Sequence, residues 1–344
     1  MKVAVFSTKA YDREFLNAAN IAAHSNHELI YFDARLEPKT APLAAECSAI
    51  CVFVNDDVGA ETLITLAKQG VRFVVLRSTG FNNVDLKMAA ELGIKVARVT
   101  TYSPFSVAEH AVGLILMLNR KLYRAYNRVR DDNFSLEGLL GFDLHGRTVG
   151  VVGTGKIGSI FAQIMHGFGC QLLGYDPYPN PNFEAIGASR YVQLSELFEN
   201  ADIISLHVPL FPETYHMIDA NAIGQMKPGV MLINTSRGAL IDTKAAIEGI
   251  KSGRIGYLGI DVYEQEDELF FQDLSNTIIQ DDNFQLLQSF PNVVITAHQA
   301  FFTRNALEDI SRTTIKNLTD FEQGRPCSNE VKQPEKIPAT TSVE

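Results

Sequence analysis

Short apolar runs alternate along the chain with longer stretches of mixed polarity. In the first hundred residues the runs lie at 3–6, 29–32, 50–54, 73–76 and 95–99. They are apolar at successive positions, so both faces must be covered, as in a parallel sheet between helices. Residues 12–23, 60–69 and 85–92 predict helices, the last two stopped by Gly70 and Gly93. Strand–helix–strand alternation predicts right-handed crossovers and a doubly wound α/β domain.

A long amphipathic stretch at 105–130 predicts one connecting helix. Its second half carries Arg120, Lys121, Arg124, Arg128 and Arg130, read as a solvated or subunit-facing side. A second block follows, with strands expected at 148–152, 171–175, 203–208, 230–234, 258–262 and 293–296. Six strands with interleaved helices match a complete dinucleotide-binding fold. The acidic stretch 267–282 predicts a loop, and 303–323 a final helix. The tail 332–344 has two prolines and few large apolar residues, which predicts disorder.

Length and composition narrow the class. A chain of 344 residues exceeds the size at which single cores stop growing, so two domains are expected. The formal charge of −10 offers no long-range attraction to nucleic acid or to an anionic membrane. The cysteines at 47, 51, 170 and 327 form no CxxC pair and have no metal-ligand spacing, which predicts reduced thiols and no metal site. No signal peptide or membrane span is legible, so a cytoplasmic protein is expected.

Gly153-Thr-Gly155-Lys156-Ile157-Gly158 follows one apolar run directly and opens a helix. The first glycine makes the tight turn, the second admits a pyrophosphate, and the third lets helix and strand pack closely. The helix N-terminus supplies free N–H groups for phosphate. Asp176 closes the next strand, 18 residues after Gly158, where a carboxylate can bind ribose hydroxyls. A 2′-phosphate would place two anions together there, so NAD is expected over NADP.

In open α/β sheets, ligands bind beyond the carboxyl ends of strands. Arg237 lies just past one expected strand, Asp261 and Glu266 at and beyond the next, and His298 past the last. Reduction of a 2-oxo acid needs a planar cation for the carboxylate, which Arg supplies in bidentate fashion. It needs an acid that can also act as a base, which suits His. A neighbouring carboxylate stabilises the imidazolium. A hydride comes from the nicotinamide.

These segments resemble the D-2-hydroxyacid dehydrogenase family, and within it the fermentative D-lactate dehydrogenase branch. The likeness rests on VGTGKIG at 152–158, NTSRGALID at 234–242, DVYEQE at 261–266 and HQAF at 298–301, with RSTGFNNVD at 77–85 and YSPFSVAEHA at 102–111. It implies a flavodoxin-like substrate domain (1–101 plus 299–331), a Rossmann NAD-binding domain (102–298) and a cleft between them. It implies reversible reduction of pyruvate to D-lactate by NADH. Arg237 would clamp the substrate carboxylate, His298 would deliver the proton, and Glu266 would support His298. Ser78, Thr79 and Gly80 would offer backbone N–H groups, while Tyr102 and Phe301 would line a small pocket for a methyl group. Val208, Pro209, Thr235, Ser236 and Asp261 would line the cofactor, Asp261 near the nicotinamide amide. A homodimer or homotetramer is implied. Two alternatives stay open: a broader dehydrogenase for bulkier acids, and an NAD-sensing scaffold like the corepressors that resemble this family.

Overall fold

The computed structural model describes residues 1–331, so the expectation placed on 332–344 lies outside the described residues. The chain forms two compact units, one from Met1–Ser103 with the chain from Thr303 onward, the other Pro104–Phe302.

The first unit is built on five parallel strands: β1 (Lys2–Val5), β2 (Glu28–Tyr31), β3 (Ala49–Val52), β4 (Phe73–Leu76) and β5 (Lys95–Ala97). Their order, β2-β1-β3-β4-β5, is that of flavodoxin-like folds. Apart from Lys2 at the start of β1, the three central strands are apolar at every position because both faces are covered. Ile50, Leu63, Leu66 and Leu76 bury one face. Val3, Val5, Leu16 and Leu318 bury the other. Leu318 comes from the last helix, Arg304–Glu322, which packs on the Ala10–Ala22 helix of this unit. Thr303 caps it by accepting the Ala306 N–H.

The second unit has seven parallel strands rather than the expected six: β6 (Thr148–Val152), β7 (Gln171–Tyr175), β8 (Ser189–Tyr191), β9 (Ile203–Leu206), β10 (Val230–Asn234), β11 (Ile255–Ile260) and β12 (Val293–Ile295). Their order is β12-β11-β10-β9-β6-β7-β8, so the chain reverses direction across the sheet between β6 and β9. This is the doubly wound arrangement, with its ligand crevice expected at that switch point. The additional strand, β8, pairs only with β7. An edge strand this short has no continuous apolar run to announce it.

The helix expected over 105–130 is two helices, Pro104–Arg120 and Leu122–Arg130. Lys121 between them sits at φ 49°, in the left-handed region. Asn119 and Phe142 exchange hydrogen bonds of 2.7 and 2.8 Å, and the Lys121 ammonium donates to the Leu140 carbonyl. The returning chain thus fixes the break. The acidic stretch after β11 holds a single turn, Glu266–Glu268, and a helix at Asp282–Ser289 capped by the Asp281 side chain. All four cysteines are buried, free thiols. Among the described residues, no helix is long and apolar enough to cross a membrane, and no side-chain cluster could hold a metal ion.

Candidate active site

The glycine loop shows which of its glycines the protein's own packing demands. Gly153 has φ 92°, and a Cβ there would meet the His207 carbonyl oxygen at 2.5 Å. At Gly158 a Cβ would meet the Gly153 carbonyl oxygen at 1.9 Å. At Gly155 it would meet nothing within 4 Å. The first and third glycines are therefore fixed by the fold, and the second borders open space. That space lies at the start of the Lys156–Gly167 helix, whose N-terminus has no side-chain cap. Lys156 is exposed there, and Ile157 packs against the core beneath. Uncapped N–H groups beside open space suit an anion.

Asp176 follows β7 and is tied to the same loop. One of its oxygens accepts the Thr154 N–H at 2.8 Å, and the other accepts the Tyr178 N–H at 2.9 Å. Thr154 is fully buried and shares its hydroxyl with Tyr191 at 2.6 Å. Across the switch point, β9 runs into His207, half-buried Val208 and exposed Pro209, and the neighbouring β10 into Thr235 and Ser236. The Ser236 hydroxyl donates to the Leu206 carbonyl at 2.8 Å. Two buried polar atoms here, His207 Nδ1 and Thr235 Oγ1, have no hydrogen-bond partner among the described residues. Buried polar atoms are rarely left so, and two at one strand-end row fit a polar ligand. Open space at Gly155, a bare helix N-terminus, Asp176 and these two atoms together fit a dinucleotide.

Three adjacent strands then present the ionisable groups. Arg237 follows β10, half-buried, and its guanidinium donates to the Ser236 carbonyl at 2.6 Å. Among the described residues it pairs with no carboxylate, so its charge is available to an anion. Beyond β11, Glu266 Oε1 lies 2.7 Å from His298 Nδ1, and its Oε2 accepts the Tyr263 N–H at 2.8 Å. A carboxylate on Nδ1 places that ring proton there and leaves Nε2 to face a ligand. No hydrogen bond joins Arg237 to this pair.

Asp261, at the end of β11, is fully buried and accepts the Gln299 and Ala300 N–H groups at 2.9 and 2.8 Å. It also accepts the Thr296 hydroxyl at 2.5 Å. Burial alone would raise its pKa. Hydrogen bonds from His110, Thr296 and the Ala300 N–H outweigh that and hold it below the ordinary carboxylate range. These bonds keep residues 298–302 with the second unit, so Phe301 belongs there, against Phe302, while Tyr102 belongs to the first. The first unit also carries Ser78, whose hydroxyl donates to the Gly80 carbonyl at 2.8 Å, and Thr79, whose carbonyl accepts from Arg98. Sequence reasoning passed over Thr154, His207, Thr296 and His110. For His110 a signal was present, since it lies in the segment 102–111.

A doubly wound sheet with this glycine loop, an Arg without a carboxylate partner and a His–Glu pair defines an NAD-linked dehydrogenase. Residues 112–300 match the model of the D-isomer specific 2-hydroxyacid dehydrogenase NAD-binding domain. The chain is 53% identical over 331 residues to the D-lactate dehydrogenase of Escherichia coli (strain K12), covering 96% of this chain and 100% of that one. It is 51% identical to a 2-hydroxyacid dehydrogenase homolog of Haemophilus influenzae, covering 96% of this chain and 98% of the relative. The solved structure described as the pyruvate reductase of Chlamydomonas reinhardtii superposes with a TM-score of 0.91 at 45% identity, covering 96% of this chain and 98% of that one. The chain belongs to the D-isomer specific 2-hydroxyacid dehydrogenase family, and its cofactor is NAD.

Proposed function

We propose that this protein is an NAD-dependent D-lactate dehydrogenase that interconverts pyruvate and D-lactate. One observation carries the chemistry: His298 is held by Glu266 at the end of a sheet whose neighbouring strand ends in an Arg without a carboxylate partner. Arg237 binds the substrate carboxylate through its planar fork and polarises the adjacent ketone. His298 gives a proton to the ketone oxygen from Nε2 during reduction and takes it back during oxidation. Glu266 fixes the ring through Nδ1. NADH supplies the hydride when bound. Gly153, Gly155 and Gly158 with the following helix hold its pyrophosphate, and Asp176 binds the ribose hydroxyls. Val208, Pro209, Thr235 and Ser236 would line the cofactor.

The likeness to the D-lactate branch extends the reading to substrate. Ser78, Thr79 and Gly80 would add backbone N–H groups to the carboxylate site, and Tyr102 and Phe301 would favour a methyl group. Methylene-scale differences in an apolar pocket are worth only about 1–3 kcal/mol, so selectivity over the next larger acid is modest. The working form is proposed as an intracellular homodimer or homotetramer.

The test is NADH oxidation with pyruvate and a panel of 2-oxo acids, each product assayed for its hand. Fast turnover of pyruvate to D-lactate supports the reading. Faster turnover of bulkier acids would replace it with a broader D-2-hydroxyacid dehydrogenase. NADH binding without turnover of any acid would replace it with an NAD-sensing scaffold.

A further inference from the structure

We propose that His110 is a positioning residue for His298, acting through Thr296 and Asp261. The inference rests on the acid–base role proposed above for His298, and begins with its backbone. His298 has φ 52°, in the left-handed region that non-glycine residues seldom occupy. Such a conformation persists only where the surroundings over-determine it. Here one residue supplies the constraint. The His298 N–H donates to the Asp261 carbonyl at 2.7 Å, and the next two N–H groups, of Gln299 and Ala300, donate to the Asp261 carboxylate. Three successive N–H groups are thus gathered by a single aspartate.

That aspartate must itself be held. Its side chain is 1% exposed, and a buried carboxylate is stable only when its charge is met by donors. Thr296 gives its hydroxyl proton to Oδ1 at 2.5 Å. A hydroxyl has one proton, so toward His110 Nε2, 3.0 Å away, Thr296 acts as acceptor. His110 Nε2 therefore carries hydrogen and donates, and it lies 3.4 Å from Asp261 Oδ1 as well. Among the described residues, His110 is the only basic side chain within ion-pair distance of Asp261.

His110 projects from the Pro104–Arg120 helix, far from Asp261 and Thr296 in sequence. Its helix is rigidly seated: Ala108, Ala111 and Leu114 on either side of it are buried in the core. The helix thereby fixes the donor, the donor fixes the carboxylate, and the carboxylate fixes the turn that aims the His298 ring. Glu266 grips that ring from the opposite end of the same residue's geometry, so backbone and side chain are constrained independently. The glycine loop and Asp176 take no part in this chain of contacts.

Removing the donor should loosen the turn and slow proton delivery while leaving cofactor binding in place. A misplacement of about 1 Å at a reacting group can cost about 100-fold in rate. The experiment compares His110→Leu, His110→Gln, Thr296→Val and His298→Gln in the full-length protein. It reads NADH affinity by fluorescence, kcat and KM for pyruvate, and the primary isotope effect with deuterated NADH. For His110→Leu the expected result is a kcat loss of about 100-fold with NADH affinity held within about threefold, and an isotope effect at least as large as the parent's. His110→Gln, which keeps an N–H donor, should recover much of that loss. Thr296→Val should reproduce the loss, and it decides the matter if His110→Leu does not fold. Parental kcat in both His110→Leu and Thr296→Val would overturn the proposal. A parallel loss of NADH affinity and kcat would also overturn it, since that marks general damage. The control separates the two readings. If His298→Gln is inactive while His110→Leu is normal, only this inference falls. If His298→Gln turns over normally, the acid–base assignment falls first.

Discussion

Glu266 spans two anchors, receiving the Tyr263 N–H on one oxygen at 2.8 Å and holding His298 Nδ1 on the other at 2.7 Å. Because the main chain fixes one oxygen, the other has little freedom, and the imidazole is held with its proton on Nδ1. Glutamine at 266 could turn its amide and donate to Nδ1, which would move the ring proton to Nε2. Glu266→Gln is therefore expected to lower kcat for pyruvate by about 100- to 1,000-fold with little change in NADH affinity. Steady-state kinetics and a fluorescence titration check this, and an unchanged kcat would break the pairing.

His298 itself carries the larger effect. Replacement by Gln keeps a polar side chain of similar reach but removes the group able to gain and lose a proton. Turnover in both directions is expected to fall by about 1,000-fold or more, with NADH binding retained. Equal losses of oxidation and reduction matter, because one group serves both directions. A variant that lost only one of them would have to be explained by a second acid.

Arg237 has its guanidinium on the Ser236 carbonyl and no carboxylate among the described residues. Lysine would keep the charge and lose the planar fork. Arg237→Lys should raise KM for pyruvate and lower kcat together, with kcat/KM down about 100-fold, since charge-assisted bidentate contacts are worth a few kcal/mol. An ordinary kcat/KM in this variant would remove Arg237 from the substrate site.

Much of this was legible because both sheets are covered on both faces. Phe73–Leu76 is apolar at every position and Val230–Asn234 at all but its last, and both fall where the runs predict. The glycine loop was legible since its first and third glycines answer a steric demand of the fold and the second leaves open space, at a spacing that the sequence records. Three things were not. Ser189–Tyr191 is an edge strand with exposed Arg190, so it needs no apolar run. The break at Lys121 is imposed by chain returning at Leu140 and Phe142, and lysine carries no local stop signal. The partners of His110 lie 151 and 186 residues away, so only the fold could join them.

Asp176 is committed on both oxygens to main-chain N–H groups, of Thr154 and Tyr178, yet remains partly exposed. A carboxylate held so firmly cannot swing away from a 2′-phosphate. Asp176→Ser should relax the preference for NADH over NADPH by about tenfold or more, as a like-charge clash of this kind costs at least a kcal/mol or two. Some loss of NADH affinity should accompany it, because the Thr154 N–H at the glycine loop loses its acceptor. An unchanged cofactor ratio would put the discriminating group elsewhere.

His207 gives a prediction of opposite character, about stability rather than rate. Burial at the end of β9 pushes its imidazole down from the ordinary 6.5 to about 3, and its Nδ1 has no partner. Between those values the unfolded chain holds a proton that the folded chain does not. Stability therefore falls as pH drops below about 6.5, and well inside that window this one group contributes about 1.4 kcal/mol per pH unit. His207→Gln removes the titrating ring while keeping a polar partner for Ser205, whose hydroxyl lies 2.9 Å from His207 Nε2. Urea midpoints measured from pH 7 to pH 4.5 should fall more steeply for the parent than for the variant, the two curves converging toward acid. Parallel curves would mean that the ring accepts a proton in the folded state at an ordinary pH, and that water reaches the strand end where the cofactor is expected.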